Sequence, residues 1–493
     1  MTNTAHKASH VAIVGGGILG LSLALRLAKA GRRVTVFEAG KSVGGMAGSA
    51  SYDAYTWDRF YHVVLLSDLK TRAFLEELGL SHRLRFGESR TGFFTDGELH
   101  GMTGALEFLR FKPLKWVDKA RLAFTIAMAG QIRNPARLER ITAVKWLTRW
   151  SGKRVVEKIW LPLLKSKLGA NTPHASAAFI WAIIARLYAA KRSGIGQEKF
   201  GVIDGGYAIV MHALERRLEK LGVTVHTATP IREVRSTAEI AQVVLPNDQV
   251  QQFDEVIMTV APTLAANLCP SLPAPDRQRM RSVKYQGVIC AALMLRRPLS
   301  PYYVTNLTDG NLPFTGVIEM TALTGTEMFG GQSLIYLPLY LSQDAPEWAE
   351  PAQAIKNRFL KGLKQMHPTF DLADIVDIKI SRVRHVMPLS TLNYSRDVMP
   401  PVKTSMPRVH FVNAAHIAYG TLNVNETLSL AEQHLTAFLG CTQRDFMPET
   451  STISRADDAQ VGAEAHTRAH VAQKPMSDAN ETATQADLAE KVI

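Results

Sequence analysis

The chain has three cysteines in 493 residues, Cys269, Cys290 and Cys441, and no CxxC spacing. That excludes a disulfide framework and a cysteine zinc site, and the thiols read as inert side chains of a protein in a reducing, cytoplasmic compartment. HExxH, GxSxG and GxxxxGK[ST] are also missing, so metalloprotease, serine hydrolase and P-loop chemistry have no foothold, and no metal site is expected. No uncharged apolar run of about 18 residues occurs beyond the opening segment 11–31, which excludes a membrane-spanning helix. Low-complexity bias is absent too, and aromatic and charged residues stand at an ordinary 8% and 20%.

The length suits two domains, and 46% hydrophobic residues are enough for a large core. The formal charge is +13, and it is unevenly spread: Arg110–Lys167 holds 15 lysines and arginines against 3 acids.

The stretch VAIVGGGILGLSLALRLAKAG, residues 11–31, admits two readings. Lys7, an apolar run and Ala28-Lys29-Ala30 have the order of a secretion signal. Three consecutive glycines inside an apolar core argue against that. In the second reading Val11–Val14 is a buried strand, and Gly15-Gly16-Gly17-Ile18-Leu19-Gly20 fits G-x-G-x-x-G. Helical spacing then runs over 18–30 through Leu19, Leu23, Leu27 and Ala30 to a stop at Gly31. A second strand, Arg33–Glu38, ends in an acid 18 residues past Gly20, the spacing that reaches a ribose hydroxyl. Gly15 permits the tight turn, Gly17 lets the backbone approach a diphosphate, and Gly20 lets the helix pack on the strand. The diphosphate would sit at the helix N-terminus, where unpaired N–H groups and the helix dipole favour anions. This is a Rossmann-like α/β unit.

Six positions after Glu38 comes Gly44-Gly45-Met46-Ala47-Gly48-Ser49. With the fingerprint before it, this resembles the flavin amine oxidase superfamily, which includes protoporphyrinogen oxidases, phytoene desaturases and, more distantly, UDP-galactopyranose mutases. The resemblance runs to about residue 440 and implies FAD as cofactor. It also implies a Rossmann-like FAD-binding domain interleaved with an α+β substrate domain. The implied cofactor contacts are Gly15, Gly16, Gly17, Ile18, Leu19, Gly20, Glu38, Ala39, Gly44, Gly45 and Met46, where Met46 stands in place of the usual arginine. Ile231 matches the position whose backbone touches the adenine side. Asn413-Ala414 replaces the usual Gly-Asp at the end of strand 408–414, so Asn413, Asn423 or Asn425 would serve as neutral partners. A helix from about 424 to 439 has its N-terminus at the flavin's pyrimidine edge in the family, where its dipole would stabilise negative charge on the reduced ring. Asn423 and Glu426 have capping-box spacing.

The family topology assigns 9–85, 200–275 and 380–440 to the FAD-binding domain, and 86–199 and 276–379 to the substrate domain. Residues 1–8 and 447–493 read as disordered. Helices are expected over 115–132, 141–150, 152–168, 175–192 and 207–221. Strands are expected over 223–226, 229–234, 287–295, 314–320 and 333–340. Gln242–Leu245 and Val256–Val260 look like one small hairpin-type layer around the turn Pro246-Asn247-Asp248.

In the basic insert, Arg and Lys alternate with Trp116, Trp146, Trp150, Trp160 and Trp181. Solvated faces over a tryptophan core, a peripheral anionic membrane surface and a funnel for an acidic substrate all fit this text. No nucleic-acid module accompanies the charge, which argues against nucleic acid. Trp57–His62 corresponds to the family segment beneath the flavin, which makes Tyr61 and His62 the catalytic candidates.

The expected function is an FAD-dependent oxidoreductase. It would oxidise a C–N or C–C bond of a small lipophilic or acidic substrate by hydride transfer to flavin. A non-redox mutase-like isomerase, with Arg296-Arg297 or Arg382 and Arg384 as phosphate clamps, and a non-catalytic flavin-binding protein are the alternatives. Sequence does not specify the oligomeric state.

Overall fold

The computed structural model describes residues 9–192 and 199–439. The expected tails 1–8 and 447–493 lie outside the described residues.

A five-stranded parallel sheet organises the nucleotide-binding text. Its order is Thr224–His226, Arg33–Phe37, His10–Val14, Glu255–Met258 and Val409–Phe411. The first strand lies inside the sheet, with Ile13 beside Val36 on one side and Ile257 on the other. Helices cover one of its faces, and a small antiparallel sheet of Glu233–Ser236, Ala241–Val244 and Val250–Phe253, with helix Pro262–Leu268, covers the other, so its residues form a continuous apolar run rather than an alternating one.

Helix Ile18–Lys29 follows directly, and Leu21, Leu23, Leu25 and Leu27 are all buried. Burial of each contributes about 1.5–3 kcal/mol relative to exposure. The helix ends as expected at Gly31. There φ is +78°, and the Gly31 and Arg32 N–H groups donate to the carbonyls of Ala28 and Leu27. Helices Gly206–Lys220 and Val424–Leu439 complete this layer, and the latter packs Leu428, Ala431 and Leu435 into the same core.

The second large sheet has seven strands in the order Ile375–Pro388, Tyr285–Leu295, Ser333–Ser342, Gly316–Glu319, Val304–Leu307, Thr91–Thr95 and Glu98–Gly101. All pairs are antiparallel except Val304–Leu307 with Thr91–Thr95. Residues 380–388, grouped with the cofactor part from sequence, pair along Tyr285–Leu295 in this sheet. Helices Trp116–Ala129, Ala143–Ser151, Leu161–Leu168 and Ala177–Arg192 gather around their own core of Leu122, Trp146, Leu147, Ile159 and Ile180.

Two strand expectations need correction. Val256–Val260 does not belong to the small layer. Glu255–Met258 is a central parallel strand, and the hairpin partner of Ala241–Val244 is Val250–Phe253. A short apolar run does not reveal whether its neighbours are antiparallel or parallel. Residues 229–232 form no strand either; the strand is Glu233–Ser236. The preceding turn is tied to the end of the second strand, Ala228 N–H donating to Gly40 and Thr229 N–H to Glu38. The expected helix 152–168 contains a π-helical turn at Val156–Trp160.

Candidate functional site

Two glycine turns meet edge to edge beyond the first strand. Gly16 C=O accepts from Gly44 N–H at 2.8 Å, and Gly17 pairs with Gly44 as an isolated parallel bridge. Gly15 has φ +113°, and a side chain there would lie 2.5 Å from Thr259 Oγ1. At Gly20 a Cβ would collide with the Gly15 carbonyl oxygen and press on Ile13. At Gly17 a Cβ would meet only Gly45 Cα, at 4.0 Å. Side chains are thus barred from the turn, while one edge of it stays open at the start of helix Ile18–Lys29. Gly17 is that helix's N-cap and offers no side-chain cap, and the first turn holds no acid. Ile18 and Leu19 are buried, anchoring the turn. This bare cradle of main chain at a helix N-terminus fits a dinucleotide diphosphate.

Glu38 stands at the cradle's rim, and its carboxylate accepts from Gly16 N–H and Gly40 N–H, both at 2.7 Å. Ala39 is exposed beside it, and buried Ile231 packs in the core beneath Phe37. Met46 is half-buried against the cluster around Tyr52 and Trp57.

The three asparagines have structural partners. Asn413 accepts from Ala415 N–H at 2.8 Å and donates to Val260 C=O at 2.8 Å. Asn423 caps helix Val424–Leu439 by accepting from Glu426 N–H at 3.0 Å. Asn425 caps a different helix, Leu69–Glu77, accepting from Lys70 N–H and Thr71 N–H at 2.9 and 3.3 Å. His416, overlooked in the sequence, locks the loop between: Nδ1 accepts from Asn413 N–H at 3.1 Å and Nε2 lies 3.1 Å from Pro400 C=O. Burial pushes its imidazole down to about 4, so the neutral ring with its proton on Nε2 satisfies both contacts.

Tyr61 and His62 diverge. His62 lies with Tyr207, ring centroids 5.0 Å apart, and Nδ1 is 3.3 Å from Asp58 Oδ2 without hydrogen-bond alignment. Tyr61 instead lines a cavity of about 440 Å³ between the helical cluster and the seven-stranded sheet. Its hydroxyl meets that of Tyr340 at 2.9 Å. Burial first, and then Tyr340, hold the Tyr61 phenol well above its ordinary range, so it stays protonated at neutral pH. The walls are apolar: Phe93, Leu122, Ile126, Phe179 and Ile183 are representative. Lys167 is the charged residue of the lining, its ammonium 5.4 Å over the Tyr340 ring. It also lines a smaller neighbouring pocket with Ala414 and Gly420–Leu422. The cavity therefore adjoins the loop that precedes helix Val424–Leu439. The helical wall of the cavity went unread in the sequence, because the lining is gathered from segments spread over residues 61 to 340.

None of the arginines considered as phosphate clamps reaches the cavity. Arg297 pairs with Asp374, and Arg382 and Arg384 donate to the carbonyls of Glu350 and Gln343.

A glycine cradle of this kind on a parallel sheet defines a dinucleotide-binding protein, and an apolar cavity lies against its seven-stranded sheet. The comparisons refine this. The family of flavin containing amine oxidoreductases matches residues 19–424, and the chain belongs to it. FAD is the cofactor. Similar relatives include a hydroxysqualene dehydroxylase of Sinorhizobium fredii, 28% identical over 55% of this chain and 66% of that one. A zeta-carotene desaturase of Synechocystis is 25% identical over 46% of this chain and 50% of its own. Amine oxidase A of Bos taurus is 25% identical over 63% and 65%. The chain thus spans less than two thirds of each of these relatives. Among solved structures, putrescine oxidase bound to putrescine superposes with TM-score 0.67 at 19% identity, covering 88% of this chain and 100% of that one. Reduced UDP-galactopyranose mutase gives 0.69 at 14%, covering 88% and 96%. At these identities the likeness shows the shared fold.

Proposed function

We propose that this chain is an FAD-dependent oxidoreductase that oxidises a C–N or C–C bond of a lipophilic small molecule held in the 440 Å³ cavity. The observation that carries this reading is the cavity's lining, apolar except for Ser, Thr and Tyr hydroxyls, the Asn306 amide and the Lys167 ammonium. The residues of the glycine cradle, Gly15–Gly20, Glu38 and Gly44–Met46, are read as the FAD contacts. The five-stranded sheet belongs to the cofactor part and the seven-stranded sheet to the substrate part. Bound flavin supplies the acceptor for a hydride. The chain's own residues exclude water with packed aliphatic walls and orient the substrate against them. The Tyr61–Tyr340 pair offers a protonated hydroxyl to a polar substituent, and Lys167 faces an acidic one.

The lipid surface considered for the basic insert narrows to one face. Helix Trp116–Ala129 turns Leu122 and Ile126 into the cavity and leaves Trp116, Val117 and Phe124 at 68%, 67% and 50% exposure. Exposed Leu106, Leu109, Arg110, Lys112, Lys115 and Arg121 surround them. An apolar strip edged by cations matches an anionic bilayer surface, and the same helix walls the cavity, so a lipophilic substrate would enter from the lipid. Among the described residues no helix is long and apolar enough to cross a membrane.

The test is spectroscopic. Purified protein is expected to show flavin bands near roughly 375 and 450 nm. Anaerobic bleaching is expected with lipophilic substrates such as polyenes or long-chain amines. Bleaching by none of these, with turnover of a nucleotide sugar by the reduced protein instead, would overturn the oxidoreductase reading.

A further inference from the structure

The family resemblance puts an arginine at position 46, where this chain has methionine. A guanidinium nevertheless reaches the same turn from position 59. We propose that Arg59 replaces the arginine absent at position 46 and supplies the positive charge that holds the FAD diphosphate at the glycine cradle. The proposal rests on the reading of that cradle as the FAD site.

Hairpin register puts Arg59 there. The chain leaves the turn at Gly48, runs out along Ser49–Tyr52 and returns along Tyr55–Asp58, with Ser49 opposite Asp58. Arg59 therefore comes back against Gly48, and its N–H donates to Gly48 C=O at 3.0 Å. From that anchor Nη2 donates to Gly45 C=O at 2.7 Å. Gly48 must be bare for this, because a Cβ there would lie 2.9 Å from Nη2.

The guanidinium is not fully used by the protein. Its Nε is buried and has no hydrogen-bond partner. Among the described residues no carboxylate stands within ion-pair distance of it. Glu38, which acts on it electrostatically, already accepts two backbone N–H groups. A half-buried cation without a counter-ion costs free energy, and burial accordingly pulls its pKa below the ordinary value. An anion at the cradle offsets that cost. A planar guanidinium suits a phosphate because it donates several N–H bonds in one fixed plane. Position 46 and position 59 thus serve as two routes by which a side chain can bring a guanidinium to Gly45.

The alternative is a structural latch, in which Arg59 only ties the hairpin to the turn. Flavin-free full-length chain separates the two, titrated with FAD, ADP and riboflavin by fluorescence and calorimetry. Arg59→Met is expected to weaken FAD and ADP binding about 10- to 100-fold, the size of one charge-assisted contact. Riboflavin, which has no phosphate, is expected to bind as before, and the melting temperature of the flavin-free protein to stay unchanged. Arg59→Met with Met46→Arg is expected to regain at least about tenfold of the lost FAD affinity. Arg59→Gln, which keeps a donor for Gly45 C=O but no charge, is expected to match Arg59→Met. The proposal is overturned if Arg59→Gln binds FAD like the parent, or if the loss falls equally on riboflavin. It is also overturned if Met46→Arg restores nothing while the flavin-free melting temperature drops. A parent chain that takes up neither FAD nor ADP sinks the FAD site itself. A parent that binds both, with substitutions that change nothing, sinks Arg59 alone.

Discussion

The turns at Gly15–Gly20 and Gly44–Gly48 present bare main chain, whereas the cavity lined by residues between Tyr61 and Tyr340 presents side chains. The first region is built from consecutive residues whose conformation is set by missing Cβ atoms. The second is assembled from helices and strands far apart in sequence, and its character comes from side chains that, Lys167 apart, carry no charge. A diphosphate needs N–H groups at fixed positions, and only backbone provides these without conformational cost. A lipophilic substrate needs volume and dryness, which many different side chains can supply. The cradle should therefore tolerate almost no substitution, and the cavity a good deal.

The largest effect is expected at Gly20. Gly20→Ala drives a methyl into the Gly15 carbonyl and should cost about 3 kcal/mol or more, with loss of bound flavin. Gly31→Ala is the control, since a Cβ there meets nothing and only the positive φ is strained, at about 1 kcal/mol. Thermal melts and flavin absorbance read both, and equal losses would erase the contrast.

Next comes the pH response of the loop after the last parallel strand. His416 stays neutral in the fold down to about 4, while the unfolded chain takes up a proton near 6.5. Stability on its account is full above 6.5, falls as pH drops toward 4, and falls no further below that. The total is on the order of 3 kcal/mol. His416→Gln should flatten this part of a denaturation-versus-pH curve, and an unchanged slope would refute the assignment.

A smaller effect is expected in the cavity. Ile183→Trp fills space rather than removing contacts, so stability should move by about 1 kcal/mol. Flavin content should stay at parent level while bleaching by the preferred lipophilic substrate is lost. Loss of flavin along with it would mean that the two regions are not separable.

The least costly change to stability is at the surface. Val117→Asp with Phe124→Asp should shift stability within about 0.5 kcal/mol, because both side chains are exposed. Sedimentation with anionic liposomes at low salt should nevertheless disappear. Retention on the vesicles would show that the exposed strip is not the lipid contact.

The same contrast accounts for what was legible in the sequence. The strand, glycine turn, helix and stop of residues 10–31 could be read because every determinant is local: period, cap and obligatory glycine. Helix Val424–Leu439 was legible for the same reason. The three asparagines offered to the cofactor each have a capping or bridging bond within the protein, since a short polar side chain at a turn signals a cap as readily as a ligand. The five tryptophans of the basic insert looked alike. Trp146 and Trp160 are buried, Trp150 and Trp181 half-buried, and only Trp116 faces out, a division set by which helix face meets the core. His62 and Tyr61 are neighbours in sequence, yet they go to different surroundings.

Sequence by itself determined the nucleotide-binding unit, because the turn needs residues without Cβ at fixed steps from a buried strand and an amphipathic helix. Tertiary structure alone decided which side of the basic insert faces solvent, that Glu255–Met258 lies inside the parallel sheet, and that a guanidinium reaches Gly45 from position 59. Those outcomes depend on contacts between segments tens to hundreds of residues apart, and no local spacing encodes which surfaces will meet.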